Sequence, residues 1–329
     1  DAGPMAQAFV RYERWLTEHG ALDFDDLVGR ALVRLTADDG LLARWRSRCA
    51  HLLVDEVQDV DRSQLRLALL LAAPANRVFL VGDDDQSIYG WRLADVRRVL
   101  ALDEVLPGLR RVDLEVNHRC PIPVVERAVR LIDHNRERFA KTIRPRPDAA
   151  GSLILAPDAA DEPSRTLRLV RSWPDDDGTR AILARTNREL RPAVIAAVRL
   201  GLPFRAPSIE LLIDDPGLDG LLTRIATDTP DGWPLLVRIG AVRRTLPPEL
   251  DGLASALLAW APAYADLPAL RAAIEDMRAR IAELRRDDAA LSLAAAHSAQ
   301  GAEFDQVSVV CLAEGRCPSG RAIGVFLYP

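Results

Sequence analysis

Two short apolar runs, each closing on acids, constrain the fold of this chain more than any other feature. His51-Leu52-Leu53-Val54-Asp55-Glu56 and Arg77-Val78-Phe79-Leu80-Val81-Gly82-Asp83 are short, β-rich and bounded by turn residues, the pattern of buried parallel strands. Parallel strands need a crossover, and the leucine-rich stretch 64–73 between the runs reads as its helix. A third strand is expected at 111–116. After Pro121 the alternation resumes, with helices at 124–133, 162–173 and 189–200 and strands at 152–156 and 180–184. Strands are expected again at 291–296 and 307–312. Alternation of this kind implies an α/β fold built on parallel sheets with crossover helices.

Two stretches break the alternation. Residues 1–50 read as helices, with Phe9, Val10, Tyr12, Trp15 and Leu16 at roughly helical spacing. Between Ser208 and Asp288 there is no comparable strand series. There Leu270, Ile274, Met277, Ile281 and Leu284 form one apolar helix face. At barely two heptads it reads as an intramolecular core helix, with a partner-binding coiled coil as the alternative. The chain thus leaves an α/β domain, builds a helical insertion and returns.

The 329 residues suggest about two domains at roughly 150 residues each. A 49% hydrophobic and 28% charged composition excludes disorder and a disulfide scaffold. The net charge of −5 decides nothing about nucleic acid, because binding depends on local patches. Lys141 is the chain's one lysine among 43 basic residues, which reads as a compositional bias of the genome. Cys49, Cys120, Cys311 and Cys317 form no C-x-x-C pair, so reduced thiols and a cytoplasmic location are expected rather than a zinc site. The charge-free stretch 252–265 is too short for a bilayer, which needs about 18 apolar residues, so no membrane partner is expected. Asp1 opens without a leader or an initiator methionine, and the chain is expected to be a piece of something longer.

The chemistry concentrates where the first two strands end. Asp55 and Glu56 close a strand at the carboxyl edge of a parallel sheet, where ligands of such folds bind. Carboxylates there can hold magnesium on nucleotide phosphates and polarise a water, or simply begin a solvated loop. The second strand runs into Gly82-Asp83-Asp84-Asp85-Gln86-Ser87-Ile88-Tyr89-Gly90-Trp91-Arg92. A loop built only to connect has no use for exposed Tyr and Trp, whereas rings beside arginine suit unpaired bases and phosphates. Gln86 can sense a phosphate from the adjacent sheet edge.

Leu53-Val54-Asp55-Glu56-Val57-Gln58-Asp59 and Val81 to Arg92 resemble motifs II and III of the UvrD/Rep/PcrA-type superfamily 1 DNA helicases. Leu22-Asp23-Phe24-Asp25-Asp26-Leu27 is similar to the segment upstream of motif II, and Leu114-Glu115-Val116-Asn117-His118-Arg119 to motif IV. Ala184-Arg185-Thr186-Asn187 resembles the strand-end segment beyond it, and residues 296–305 resemble motif V. The resemblance implies two RecA-like parallel-sheet domains, the first incomplete, with a short helical insertion in the second. The expected layout is a helical segment at 1–50, a partial first domain at 51–119, the second domain at 120–207, its insertion at 208–288 and its return at 289–329.

The resemblance also implies an ATP-dependent 3′–5′ helicase or translocase acting on single-stranded DNA and single/double-strand junctions, with ATP and Mg2+. Asp55 would hold magnesium, Glu56 would orient or deprotonate the water, and Gln86 would link the γ-phosphate to the DNA-binding loop. Arg119 would reach the γ-phosphate, His118 would take the adenine-stacking position, and Glu303 would bind the ribose. Tyr89, Trp91, Arg92, Arg185, Asn187 and His297 would contact the strand.

The departures matter as much. His118 stands where the family usually has tyrosine, and Gln300 replaces the usual lysine of motif V. No G-x-x-x-x-G-K-[ST] loop occurs, so the chain is read as the middle of a helicase, inactive alone. The basic stretch of Arg136, Arg138, Lys141, Arg144 and Arg146 faces either DNA or solvent. Two competing readings remain. One is a non-catalytic DNA-binding module or degenerate helicase paralogue. The other is a metal-dependent nuclease using Asp55, Asp59 and Asp83 to Asp85, disfavoured because no lysine lies nearby in sequence.

Overall fold

The computed structural model describes residues 3–155, 161–174 and 176–312. The chain divides into two compact units between Ile154 and Leu155.

The first unit begins with three helices, α1 (Pro4–His19), α2 (Phe24–Ala37) and α3 (Asp39–Arg48). The acidic segment around Asp23 starts α2. Asp23 accepts the Asp26 N–H at 2.8 Å as its N-cap, Asp25 and Asp26 follow in the first turn, and Tyr12 donates to the other Asp23 oxygen at 3.0 Å. Then come β1 (Leu52–Val54), α4 (Arg62–Ala72) and β2 (Val78–Leu80), the strand–helix–strand unit read from the sequence. Asp61 and Gln64 close a reciprocal capping box at the start of α4. The strands pair in parallel, Leu53 opposite Phe79 and Val54 opposite Leu80. Alternation then sorts the faces. Val54, Val78 and Leu80 pack with Leu65 and Leu69 of α4 against Val57, Leu102 and Leu106, while Leu53 and Phe79 stand 72% and 64% exposed on the other side.

Short helices α5 (Val96–Leu100) and α6 (Leu102–Val105) follow, then β3 (Val116–Asn117), α7 (Ile122–Ile132) and β4 (Arg144–Pro145). The expected strand at 111–116 shrinks to the two residues of β3, which pair in parallel with β4. The compact unit therefore runs past the boundary expected at residue 119: β4 pairs with β3, and the segment after α7 hydrogen-bonds back to Asp84 and Asp85. Residues 152–155 are not a strand, and Ala156 lies outside the described residues.

The second unit carries α8 (Glu162–Arg171), β5 (Arg180–Ala184), α9 (Arg191–Leu200) and β6 (Phe204–Arg205). Helices α10 (Gly217–Thr227), α11 (Leu235–Arg243), α12 (Asp251–Trp260) and α13 (Leu267–Leu284) form the insertion, and β7 (Leu291–Ala295) and β8 (Gln306–Val309) complete the sheet. All four strands are parallel, in the order β6-β7-β5-β8. The insertion is not a separate body. Leu221, Ile225, Leu257, Leu270 and Ile274 belong to the same buried core as Ile182, Phe204 and Leu293 of the sheet. On α13 the predicted face is buried at Leu270, Ile274, Ile281 and Leu284, but Met277 is 43% exposed. Among the described residues no single helix is long and apolar enough to cross a membrane.

Candidate functional site

β1 ends where the acids begin, and the backbone turns sharply there. Glu56 adopts a left-handed conformation, φ 51° and ψ 45°, and its N–H is accepted by Asp55 Oδ1 at 2.9 Å. A side chain pays roughly 1–2 kcal/mol for that conformation, a cost usually met only where the surroundings dictate it. Both acids are exposed at the carboxyl edge of the strand pair. The next turn, Val57–Asp59, buries Gln58 completely.

Gln58 ties the two strand ends together. Its Nε2 donates to Glu56 Oε2 at 2.5 Å, and its Oε1 accepts the Asp83 N–H at 3.0 Å. Close approach requires the glycine before Asp83, because a Cβ on Gly82 would overlap Gln58 Oε1 and lie 2.8 Å from Val57 Cγ1. Asp83 in turn accepts from the Gln86 side-chain amide at 2.7 Å. Glu56, Gln58, Asp83 and Gln86 thus form one continuous relay from the first strand end to the loop after the second.

That loop presents the aromatic residues. Gly90–Arg92 is a single tight turn with Leu93 left-handed behind it. Trp91 is 72% exposed. The Tyr89 and Trp91 ring centroids lie 6.1 Å apart at 51°, and the Arg92 guanidinium sits 5.6 Å from the Trp91 ring centre. An exposed indole flanked by a phenol and a cation has the ring face and the charge that stacking on a base beside a phosphate requires.

Below the relay lies a cluster that sequence reasoning missed. Lys141 Nζ bonds Asp83 Oδ1 and Asp84 Oδ1, each at 2.5 Å, and Asp85 Oδ2 at 3.0 Å. Arg138 forks onto both Asp85 oxygens through Nε and Nη2, Asn135 adds a bond to Asp85 Oδ1, and the Phe139 N–H donates to Asp84 Oδ2. Burial pushes the Asp85 carboxyl up, but the bonds from Arg138, Lys141 and Asn135 outweigh it and hold the group below its usual range. Burial likewise works against the Lys141 ammonium, and its carboxylate partners leave it raised overall. Two earlier expectations change. Arg138 and Lys141 have side chains only 16% and 13% exposed and face the acids, so neither is part of a DNA-facing basic strip. A lysine does lie beside Asp83–Asp85, despite its distance in sequence. The oxygens of the three acids come within 4.8 Å of one another, yet that space already holds the ammonium and a guanidinium, which is poor provision for a nuclease metal.

His118 and Arg119 follow β3 on an exposed turn that Asn117 Oδ1 caps by accepting the Arg119 and Cys120 N–H groups at 3.1 and 2.8 Å. The remaining candidates belong to the second unit. Arg185 follows β5 and His297 follows β7, and Ala184 pairs with Ala295, so both stand at the carboxyl edge of adjacent strands. Asn187 Nδ2 donates to the Ser208 carbonyl at 2.7 Å. Glu303 is exposed in the connection back to the amino edge, two residues before Asp305, which accepts from the Thr179 N–H and hydroxyl.

Gln58 and Lys141 both left a trace in the sequence. Gln58 is a lone amide beside an apolar run, and Lys141 is the exception in an arginine-rich chain. Neither trace says which residues the side chain meets.

Comparison with known proteins points the same way. The profile of the UvrD/REP helicase N-terminal domain matches residues 2–107. DNA helicase II of Escherichia coli (strain K12) is 32% identical over 206 residues, covering 60% of this chain and 28% of the relative. ATP-dependent DNA helicase PcrA of Staphylococcus epidermidis is 28% identical over 253 residues, 74% of this chain and 35% of the relative. ATP-dependent DNA helicase Rep of Buchnera aphidicola subsp. Acyrthosiphon pisum is 28% identical over 226 residues, 67% of this chain and 35% of the relative. The chain spans about a third of the length of these relatives. With Glu56 and the loop after the second strand joined through Gln58 at the ends of a parallel strand pair, the chain is similar to the UvrD-type helicases, its residues 2–107 matching their N-terminal domain.

Proposed function

We propose that this chain is the motor segment of an ATP-dependent 3′–5′ DNA helicase or translocase that moves along single-stranded DNA and meets single/double-strand junctions. The observation that carries the reading is the relay Glu56–Gln58–Asp83–Gln86, because it joins acids suited to water activation to the loop that presents Trp91. Asp55, an exposed carboxylate at a strand end, offers the hard oxygen that magnesium takes, and the bound ion would neutralise phosphate charge. Glu56 orients the attacking water and takes its proton. Gln86 senses the γ-phosphate and passes its state to the loop, and Arg119 stabilises the charge that builds on the phosphoryl group. His118 and Glu303 hold base and ribose. Tyr89, Trp91, Arg92, Arg185, Asn187 and His297 grip the strand.

No phosphate-cradling glycine–lysine loop is present in this sequence, so the chain alone binds DNA and does not turn over ATP. Anisotropy of a labelled oligo-dT tests the first half. Binding is expected, with Trp91→Ala weaker by about tenfold, the worth of one stacked base. No binding, or full binding by Trp91→Ala, refutes the DNA-gripping role. DNA-stimulated ATP hydrolysis by the chain that disappears in Glu56→Gln refutes the second half.

A further inference from the structure

The lysine that composition alone makes look accidental has a specific geometry. The other 42 of the 43 basic residues are arginine. The sole ammonium stands where three carboxylates from consecutive residues, Asp83, Asp84 and Asp85, converge. A compact point charge with three donors can serve three separate carboxylates, whereas a planar guanidinium matches one carboxylate edge to edge in a two-bond fork. Both modes occur side by side here, because Arg138 takes Asp85 in a fork while Lys141 serves all three. The acids are not spare ones. Asp83 spends one oxygen on Lys141 and the other on Gln86, and its N–H bonds Gln58, which bonds Glu56. Asp84 and Asp85 are buried, so without the cations the turn would collect like charges in low dielectric.

We propose that Lys141 is a positioning residue: with Arg138 it clamps the Asp83–Asp85 turn so that Gln86 and the Tyr89–Trp91 loop behind it are held in register with Glu56. This rests on the helicase reading for its purpose, and on the cluster geometry for its existence. The clamp acts through the turn it holds. It sets how firmly the acid and the gripping loop are joined.

The experiment uses the full 329-residue chain with Lys141→Met, which keeps length and removes charge, and Lys141→Arg, which keeps charge and changes shape. Three quantities are read: thermal unfolding, side-chain amide exchange at Gln86 and Gln58 by 15N NMR, and oligo-dT affinity. In Lys141→Met, Gln86 amide exchange is expected to quicken and oligo-dT affinity to fall, each by about tenfold, the size of a lost charge-assisted bond. Backbone exchange in β5 and β7 stays as in the unmodified chain, and Lys141→Arg falls between. A merely structural lysine would lower the melting temperature without singling out Gln86. Unchanged Gln86 exchange in folded Lys141→Met overturns the proposal, and so does unchanged oligo-dT affinity. If Lys141→Met does not fold, Asp83→Asn takes its place, with the same expected and overturning results. Failure of the unmodified chain to bind oligo-dT would sink the DNA reading instead, while Gln86 exchange still decides the clamp.

Discussion

Gln58 stands between Glu56 and Asp83, donating an amide hydrogen to the Glu56 carboxylate and accepting the Asp83 N–H on its carbonyl, with no exposed surface of its own. Both ends of a buried amide are therefore used, and its orientation is fixed by what it meets: an acceptor carboxylate on one side, a backbone donor on the other. A side chain that can only accept fails here. Gln58→Glu sets a second carboxylate against Glu56, whereas Gln58→Ala leaves the Asp83 N–H unsatisfied. We expect Gln58→Ala to cost roughly 2 kcal/mol of first-unit stability, and Gln58→Glu at least as much at neutral pH. Urea unfolding checks this. The Gln58→Glu deficit should shrink in acid, as the added carboxyl protonates, and a deficit independent of pH would contradict the arrangement.

The left-handed backbone at Glu56 sets stability against chemistry. Glycine adopts φ 51° without the clash that a Cβ brings, so Glu56→Gly should raise the unfolding free energy by up to about 1 kcal/mol. The same change removes the carboxylate proposed to handle the water. Greater stability together with lost turnover in the proposed helicase is the expected pair of results. A destabilised Glu56→Gly would mean that the bond to Gln58 outweighs the backbone strain.

The carboxylate–ammonium cluster predicts a stability plateau with two edges. Asp85 titrates below its ordinary value once folded, so its contribution is full above the unfolded carboxylate pKa of about 3.9 and fades as pH falls through the lower folded value. Lys141 titrates above its ordinary value, so its contribution is full below the unfolded lysine pKa of about 10.4 and fades as pH rises through the folded value. Unfolding midpoints of the first unit should therefore be flat between roughly pH 4 and 10 as far as this cluster is concerned. Lys141→Met should lose the alkaline edge. An unaltered alkaline edge in that variant would assign it to other groups.

How far the sequence could be read depended on the range of the forces involved. The β1–α4–β2 unit, the acids at its edge and the exposed Trp91 loop were legible, because periodicity and strand-end placement are local. The Asp83–Lys141 contact spans 58 positions, and such a partner is chosen by the fold, not by neighbours in sequence. Residues 111–115 carry an apolar pattern but no ladder, since only Val116 and Asn117 find β4 to pair with. Met277 shares a helical period with Ile274 and Ile281, yet it is 43% exposed between those two buried neighbours. Periodicity names a face; the neighbours decide how much of it is covered.

That distinction on α13 gives one further expectation. Ile274 is 3% exposed within the second unit's core, and Ile274→Ala should cost about 2–5 kcal/mol through lost burial and the cavity left behind. Met277→Ala, one turn on, should stay within about 0.5 kcal/mol. Thermal unfolding of the two variants distinguishes them, and a comparable loss at Met277 would show that its face is covered in solution.

The strand pair carries the same logic in the opposite sense. Leu53 and Phe79 are register partners on the side of β1 and β2 that the unit's own helices leave uncovered, although parallel strands are ordinarily covered on both faces. Adjacent exposed Leu and Phe make an apolar patch that contributes little to the folded unit but favours association between molecules. Threonine brings the β-branched preference for extended backbone while removing most of the apolar area. The double variant Leu53→Thr/Phe79→Thr should hold its urea midpoint within about 0.5 kcal/mol of the unmodified chain while sedimenting with less self-association at high concentration. A loss of several kcal/mol would mean that this face is packed in solution, because deleting apolar surface that water already reaches removes almost nothing from the folding free energy.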